Sequence, residues 1–234
     1  MSFQINAGAN SWQSRKGCER AENRDACGVL ITPSQTVAIV ADSTEHGSRG
    51  VAFVTHLIKR VLCFATSQAD LTPESLREAM RAAHKELRTF GYLHEKAAYA
   101  VLVLKPDTGT AWAINCGDCR VGRVAADGNL QWLTPVHTSA NALGEEFSMD
   151  HAATEERHLL TRRLRVTRFD EPAITPLELT HSQTWVMATD GFWIEYLWLG
   201  GDQNRLEDDA SVLSLTLPLS DFAQQTDCSN FSSG

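Results

Sequence analysis

Short apolar runs of strand length near both ends of the chain, two stripes of helical period between them, and the lack of a regular strand-helix-strand alternation predict an α+β protein. Its sheets are expected to be antiparallel, with helices on their outer faces. The first two runs, 27–31 and 36–41, are rich in β-branched residues and flank Pro33-Ser34-Gln35, which predicts a hairpin. Val51, Val54, Ile58, Val61, Leu62 and Ala65 then recur at helical spacing. A second helix starts at Thr72 and Pro73, carries Leu76, Met80, Ala83 and Leu87 on one stripe, and ends at Gly91. Runs at 99–104, 111–115, 120–125 and 130–134, separated by Asp-Thr-Gly, Cys-Gly-Asp and Asp-Gly turns, predict an antiparallel meander. From 135 to 157 periodicity is lost, so an irregular surface excursion is expected, with one short helix near 152–160. Strands resume at 164–169, 184–188 and 211–217, and the Ser- and Gln-rich residues after Pro218 read as a poorly fixed terminus.

With 234 residues, 43% of them apolar, the chain can bury one substantial core. The expected organisation is a single domain over 1–234, with a core at about 15–218 and a polar tail at 219–234. A net charge of −8 without any cluster of Lys and Arg argues against a nucleic-acid partner. The runs 37–41 and 97–104 are too short to cross a bilayer, and residues 1–15 lack the apolar centre of a signal peptide. No membrane association and a cytoplasmic location are therefore expected. Six scattered cysteines fit reduced thiols. Cys116 and Cys119 have zinc or redox spacing, but no second ligand pair and no thioredoxin-like context accompanies them.

The chemistry gathers where strands give way to turns: Asp25, Asp42, Asp118, Asp190, and the pair Asp208 and Asp209. An aspartate in a turn is ordinarily a local cap. Each of these, however, adjoins a strongly apolar run, which puts carboxylates on the rim of a buried sheet. Several such rims converging would demand a cation. Oxygen ligands without His or Cys pairs favour Mg²⁺ or Mn²⁺ over zinc, and two such ions suit phosphate-ester hydrolysis. A structural Ca²⁺ site fits less well, because no contiguous loop supplies alternating ligands.

The residues 20–26, Arg-Ala-Glu-Asn-Arg-Asp-Ala, resemble the Arg-x-x-Asn-x-Asp-Ala opening of PPM/PP2C phosphatases. In the same order, Val40-Ala41-Asp42 is similar to the strand end with the family's bridging aspartate, and Gly117-Asp118-Cys119-Arg120 to its Gly-Asp-Ser-Arg turn. Thr189-Asp190-Gly191-Phe192-Trp193 and Asp208-Asp209-Ala210-Ser211-Val212 resemble its last two motifs, and Glu155 with 158–164 the stretch that ends in Leu-Thr-Arg-x-Leu. The resemblance spans about 20–217. It implies a PP2C-like four-layer αββα sandwich, two antiparallel sheets flanked by helices, in a bacterial-type signalling phosphatase. It also implies two or three Mn²⁺ or Mg²⁺ ions and hydrolysis of phosphoserine or phosphothreonine in proteins by a metal-activated water. Asp42 would bridge two metals beside the carbonyl of Ser43, and Asp190 and Asp208 would complete the first metal's shell. Asp25 would act through a water on the metals, and Asp118 would join Asp190 at a third, weaker site that bacterial members show. Arg20 would clamp the phosphate. The implied partners are a phosphoprotein substrate and a cognate Ser/Thr kinase.

Two departures from the family pattern stand out. Ser43-Thr44-Glu45-His46-Gly47 stands where the family has Gly-x-Gly-Gly, so Ser43 is expected to strain or widen the second site. Within that loop His46 is a candidate proton donor and Glu45 a candidate extra carboxylate. The second departure is the short 192–207 segment, where Phe192, Trp193, Tyr196 and Trp198 would pack one short helix or leave an exposed strip for a partner. The rival reading is a catalytically silent module that binds a phosphorylated or regulatory partner.

Overall fold

A computed structural model describes residues 3–5, 8–44, 47–125, 127–179, 183–219 and 222–234. The expected hairpin forms from β2 (Asp25–Ile31) and β3 (Thr36–Ser43), and it extends to the rung that pairs Asp25 with Asp42. Two helices follow. Helix α1 (Gly50–Thr66) lays Phe53, Val54, Leu57, Ile58 and Val61 on these strands. Helix α2 (Pro73–Thr89) begins at a reciprocal cap between Thr72 and Ser75 and buries Leu76, Met80, Ala83 and Leu87. The sheet beneath the helices continues through β4 (Lys96–Lys105) and β5 (Thr110–Cys116). The two-residue β8 (Leu164–Arg165) and the edge strand β9 (Ala173–Glu178) complete its far side.

The second sheet is built from β1 (Asn10–Arg15), β6 (Arg120–Val124), β7 (Leu130–Trp132), β10 (Thr184–Ala188) and β11 (Ala210–Thr216), in the order β1-β11-β10-β6-β7. Trp12, Val40, Ala100, Leu102, Trp185, Met187 and Leu213 fill the space between the sheets. Because strand side chains alternate, Val186, Ala188, Ala210 and Val212 face the other way. There they are covered by Phe192, Trp193 and Ile194 of a π-helix, Gly191–Trp198, and by Phe147 of the excursion. The outer layer on this side is thus thin, and the αββα order holds.

Four expectations are corrected. The chain after Pro218 is fixed: β12 (Phe222–Thr226) runs along β1, and β13 (Phe231–Ser233) along β2. Both join in parallel, so each sheet is mixed instead of purely antiparallel. The strand expected at 164–169 shrinks to β8, since only Leu164 and Arg165 reach a partner. The helix expected near 152–160 is instead a turn of helix at Met149–Ala152 and a 3₁₀ turn at Glu155–His158. Among the described residues, no helix is long and apolar enough to cross a membrane. All six cysteines are free thiols.

Candidate metal centre

Alternation along the hairpin puts residues 25, 27 and 29 on the same side as 38, 40 and 42, the side that faces the second sheet. Asp25 and Asp42 therefore stand side by side at one rim of the layer between the sheets. Asp118 reaches that rim from the turn joining β5 to β6, held by Trp193, whose Nε1 donates to the Asp118 carbonyl at 2.9 Å. Asp190 follows β10 directly, and Asp208 and Asp209 lead into β11. The backbone crosses closely here: a Cβ on Gly191 would lie 2.2 Å from the Asp209 carbonyl oxygen. Backbone cannot yield as a side-chain tip does, so Gly191→Ala is expected to cost about 1–3 kcal/mol. Thermal denaturation measures this, and an unchanged midpoint would refute the close crossing.

The aspartates act on one another. Burial pushes the Asp42 carboxyl well up, and Asp25, Asp190, Asp208 and Asp118 push it further. Asp25 is raised by burial, then by Asp209 and Asp208, although Thr189 Oγ1 donates to its Oδ2 at 2.9 Å. Asp190 is raised by burial, then by Asp118 and Asp208. Burial and Asp208 raise Asp118 to about 7, and burial is the main cause that lifts Asp209 to about 6. Asp25 Oδ1 and Asp190 Oδ1 are buried without any hydrogen-bond partner. Uncompensated hard oxygens of one charge sign fit a divalent cation.

Two arginines already lean on this cluster. Arg20 places Nε 2.8 Å and a terminal nitrogen 2.7 Å from Asp208 Oδ1. Arg157, buried, lies 3.8 Å from Asp190 Oδ2 and donates to Glu195 Oε1 at 3.3 Å. As they stand, no three His, Cys, Asp or Glu side chains among the described residues are arranged to hold a metal ion. Charge and donor chemistry fit the ions, while Arg20 and Arg157 keep two of the carboxylates turned to themselves.

The Ser43 Oγ occupies the space over Gly50, 2.2 Å from where a Cβ there would be, and is buried without a hydrogen-bond partner. Glu95 steadies the same loop by accepting from the Arg49 amide at 2.9 Å, at the start of α1. Glu45 and His46 lie outside the described residues. Cys116 and Cys119 are buried, and burial lifts both thiols, Cys116 to about 12, so neither supplies a thiolate at neutral pH. Of the aromatic strip, Phe192 and Trp193 are core and Trp198 packs on Phe147, which leaves Leu197 and Leu199 exposed.

Several residues at this site were not singled out from the sequence. Asn230, in the tail, sits under Asp25: its Nδ2 donates to the Asp25 carbonyl at 3.0 Å and to Ser14 Oγ at 2.8 Å. Its Oδ1 accepts from Trp12 Nε1 at 2.9 Å and from Thr226 Oγ1 at 2.8 Å. Nothing in a Cys-Ser-Asn-Phe segment announces such a hub. Glu195 had a signal: it is the one charge in Phe-Trp-Ile-Glu-Tyr-Leu-Trp, and a lone charge in an apolar run asks for a buried partner. Arg157, amid Glu155, Glu156 and His158, reads as a solvated surface run.

No protein-family model matches the chain, and a search of curated proteins finds no match. Solved structures do match. The PPM Ser-Thr phosphatase MsPP from Mycobacterium smegmatis is 20% identical, with a TM-score of 0.72 over 90% of this chain and 99% of that one. The phosphatase Stp1 from Staphylococcus aureus is 13% identical, with a TM-score of 0.72 over 92% and 98%. The catalytic domain of the phosphatase PstP, solved in complex with two manganese ions, is 17% identical, with a TM-score of 0.67 over 88% and 96%. The chain has the fold of the bacterial PPM/PP2C serine/threonine phosphatases.

Proposed function

We propose that this chain hydrolyses phosphoserine or phosphothreonine in proteins with the help of Mn²⁺ or Mg²⁺, and that 1–234 work as one domain. The observation that carries this reading is the convergence of Asp25, Asp42, Asp118, Asp190 and Asp208 on one rim, with buried oxygens left unpartnered, in a phosphatase fold. When bound, the divalent ions supply a water acidified to near neutrality and neutralise phosphoryl charge. Asp42 and the Ser43 carbonyl, with Asp190 and Asp208, would hold them. Asp25, fixed by Thr189, orients water at the rim through its remaining oxygen. Arg20 is only half-buried, and its planar donors can pass from Asp208 to a phosphate oxygen pair. This makes Asp208 and the substrate alternative partners of one guanidinium.

The silent-module reading draws on the two arginines that hold Asp208 and Asp190. Mn²⁺-dependent hydrolysis of a phosphothreonine peptide decides between them. Turnover is expected to fall by more than about a thousandfold in Asp42→Asn, because a carboxylate that would hold the ions is lost. A wild-type rate no greater than that of the variant would leave only the silent module standing.

A further inference from the structure

We propose that the Arg157 guanidinium is a built-in cation that takes the place of a third divalent ion between Asp118 and Asp190, so that the site is made for two ions. The inference rests on the metal-centre reading above and concerns how many cations this chain's carboxylates need. Arg157 stands on the 3₁₀ turn of the excursion and is 8% exposed. A fixed charge at that depth requires compensation. It finds this on two sides: Glu195 Oε1 at 3.3 Å and Asp190 Oδ2 at 3.8 Å. The same guanidinium lies close enough to act by its charge on both Asp118 and Asp190, the pair that the resemblance assigns to a third ion.

The two oxygens of Asp190 are differently placed. Oδ2 looks toward Arg157, and Oδ1 is buried with no partner. Oδ1 is thus available to an ion shared with Asp42 and Asp208, while a further cation on the Oδ2 side would meet the positive charge of Arg157. Nor is the arginine easily displaced. Its anchor Glu195 is itself fixed, because Oε2 accepts from the Glu207 amide at 3.1 Å and the Asp208 amide at 3.3 Å. Phe147 packs on Trp193 with ring centres 5.3 Å apart and ties the excursion to the same π-helix. A purely structural ion pair would use Glu195 alone and leave the Asp118–Asp190 side open to an ion.

The test is calorimetric titration of the metal-free protein with Mn²⁺, with the ion count checked by elemental analysis. Two ions per chain are expected for the wild type, two for Arg157→Lys, and three for Arg157→Met. Asp118→Asn in the wild-type background should leave the count at two, and it keeps the idea falsifiable if Arg157→Met does not fold. Three ions on the wild type, an unchanged count in folded Arg157→Met, or the loss of an ion in Asp118→Asn would each overturn the inference while leaving the metal centre intact. No Mn²⁺ bound by any of these proteins would instead overturn the metal-centre reading, and this inference with it.

Discussion

Stripped of divalent ions, this protein is expected to lose stability as pH rises from about 4 to about 7, the reverse of the behaviour of a protein whose aspartates are salt-bridged. In the unfolded chain each aspartate titrates near about 3.9. In the folded chain burial lifts Asp118 to about 7 and Asp209 to about 6, and it pushes Asp25, Asp42 and Asp190 up as well. Between those values the folded state holds protons that the unfolded state has released. Each such group therefore tilts the stability curve downward by up to about 1.4 kcal/mol per pH unit, and the loss is complete once the folded carboxyl has ionised. Asp42→Asn removes one charge from the cluster, so the metal-free variant should be more stable than the wild type at pH 8 by about 1–3 kcal/mol, or roughly 2–12 °C in midpoint. Mn²⁺ at a hundred times its dissociation constant should add about 2.7 kcal/mol to the wild type and much less to the variant. Thermal melts at pH 5 and pH 8, with chelator and with Mn²⁺, measure all of this. A midpoint in chelator that rises toward pH 8 would show that the carboxylates are not in mutual contact.

The second large effect is expected at Asn230. Its side chain spans Trp12, Ser14, Thr226 and the Asp25 carbonyl, all buried or nearly so. Asn230→Ala would leave the indole N–H and a carbonyl unpaired in the interior, at about 1–3 kcal/mol each before relaxation. A loss of about 2–4 kcal/mol is expected, or roughly 4–16 °C in midpoint. A melt of Asn230→Ala within a degree of the wild type would show that the tail merely lies along the surface.

Legibility in the sequence followed the reach of each interaction. The hairpin, α1, α2 and the meander were readable because their apolar residues repeat at the period of the element itself, as in Leu76, Met80, Ala83 and Leu87. Strand β1 was not, since Asn-Ser-Trp-Gln-Ser-Arg has one apolar residue and buries its polar ones through partners elsewhere in the chain. Strand β9 carries Pro176, which an edge strand tolerates but which masks its character. The aspartates were readable through local motifs in order. Arg157 and the Asn230 hub were not, because Arg157 meets Asp190 and Glu195 33 and 38 residues on, and Asn230 meets Trp12 across 218 residues.

The two strands of the tail also bear on how the chain reaches its folded state. Trp12 and Asn230 meet across 218 residues, and β12 and β13 are the last elements to be synthesised of those described here. Until they emerge, β1 and β2 present open backbone edges, and the buried polar side chains beneath Asp25 have no Asn230 to satisfy them. Contacts of such separation are entropically expensive and form late. Until β12 and β13 are in place, the two open edges make an incompletely folded chain prone to pair with other strands.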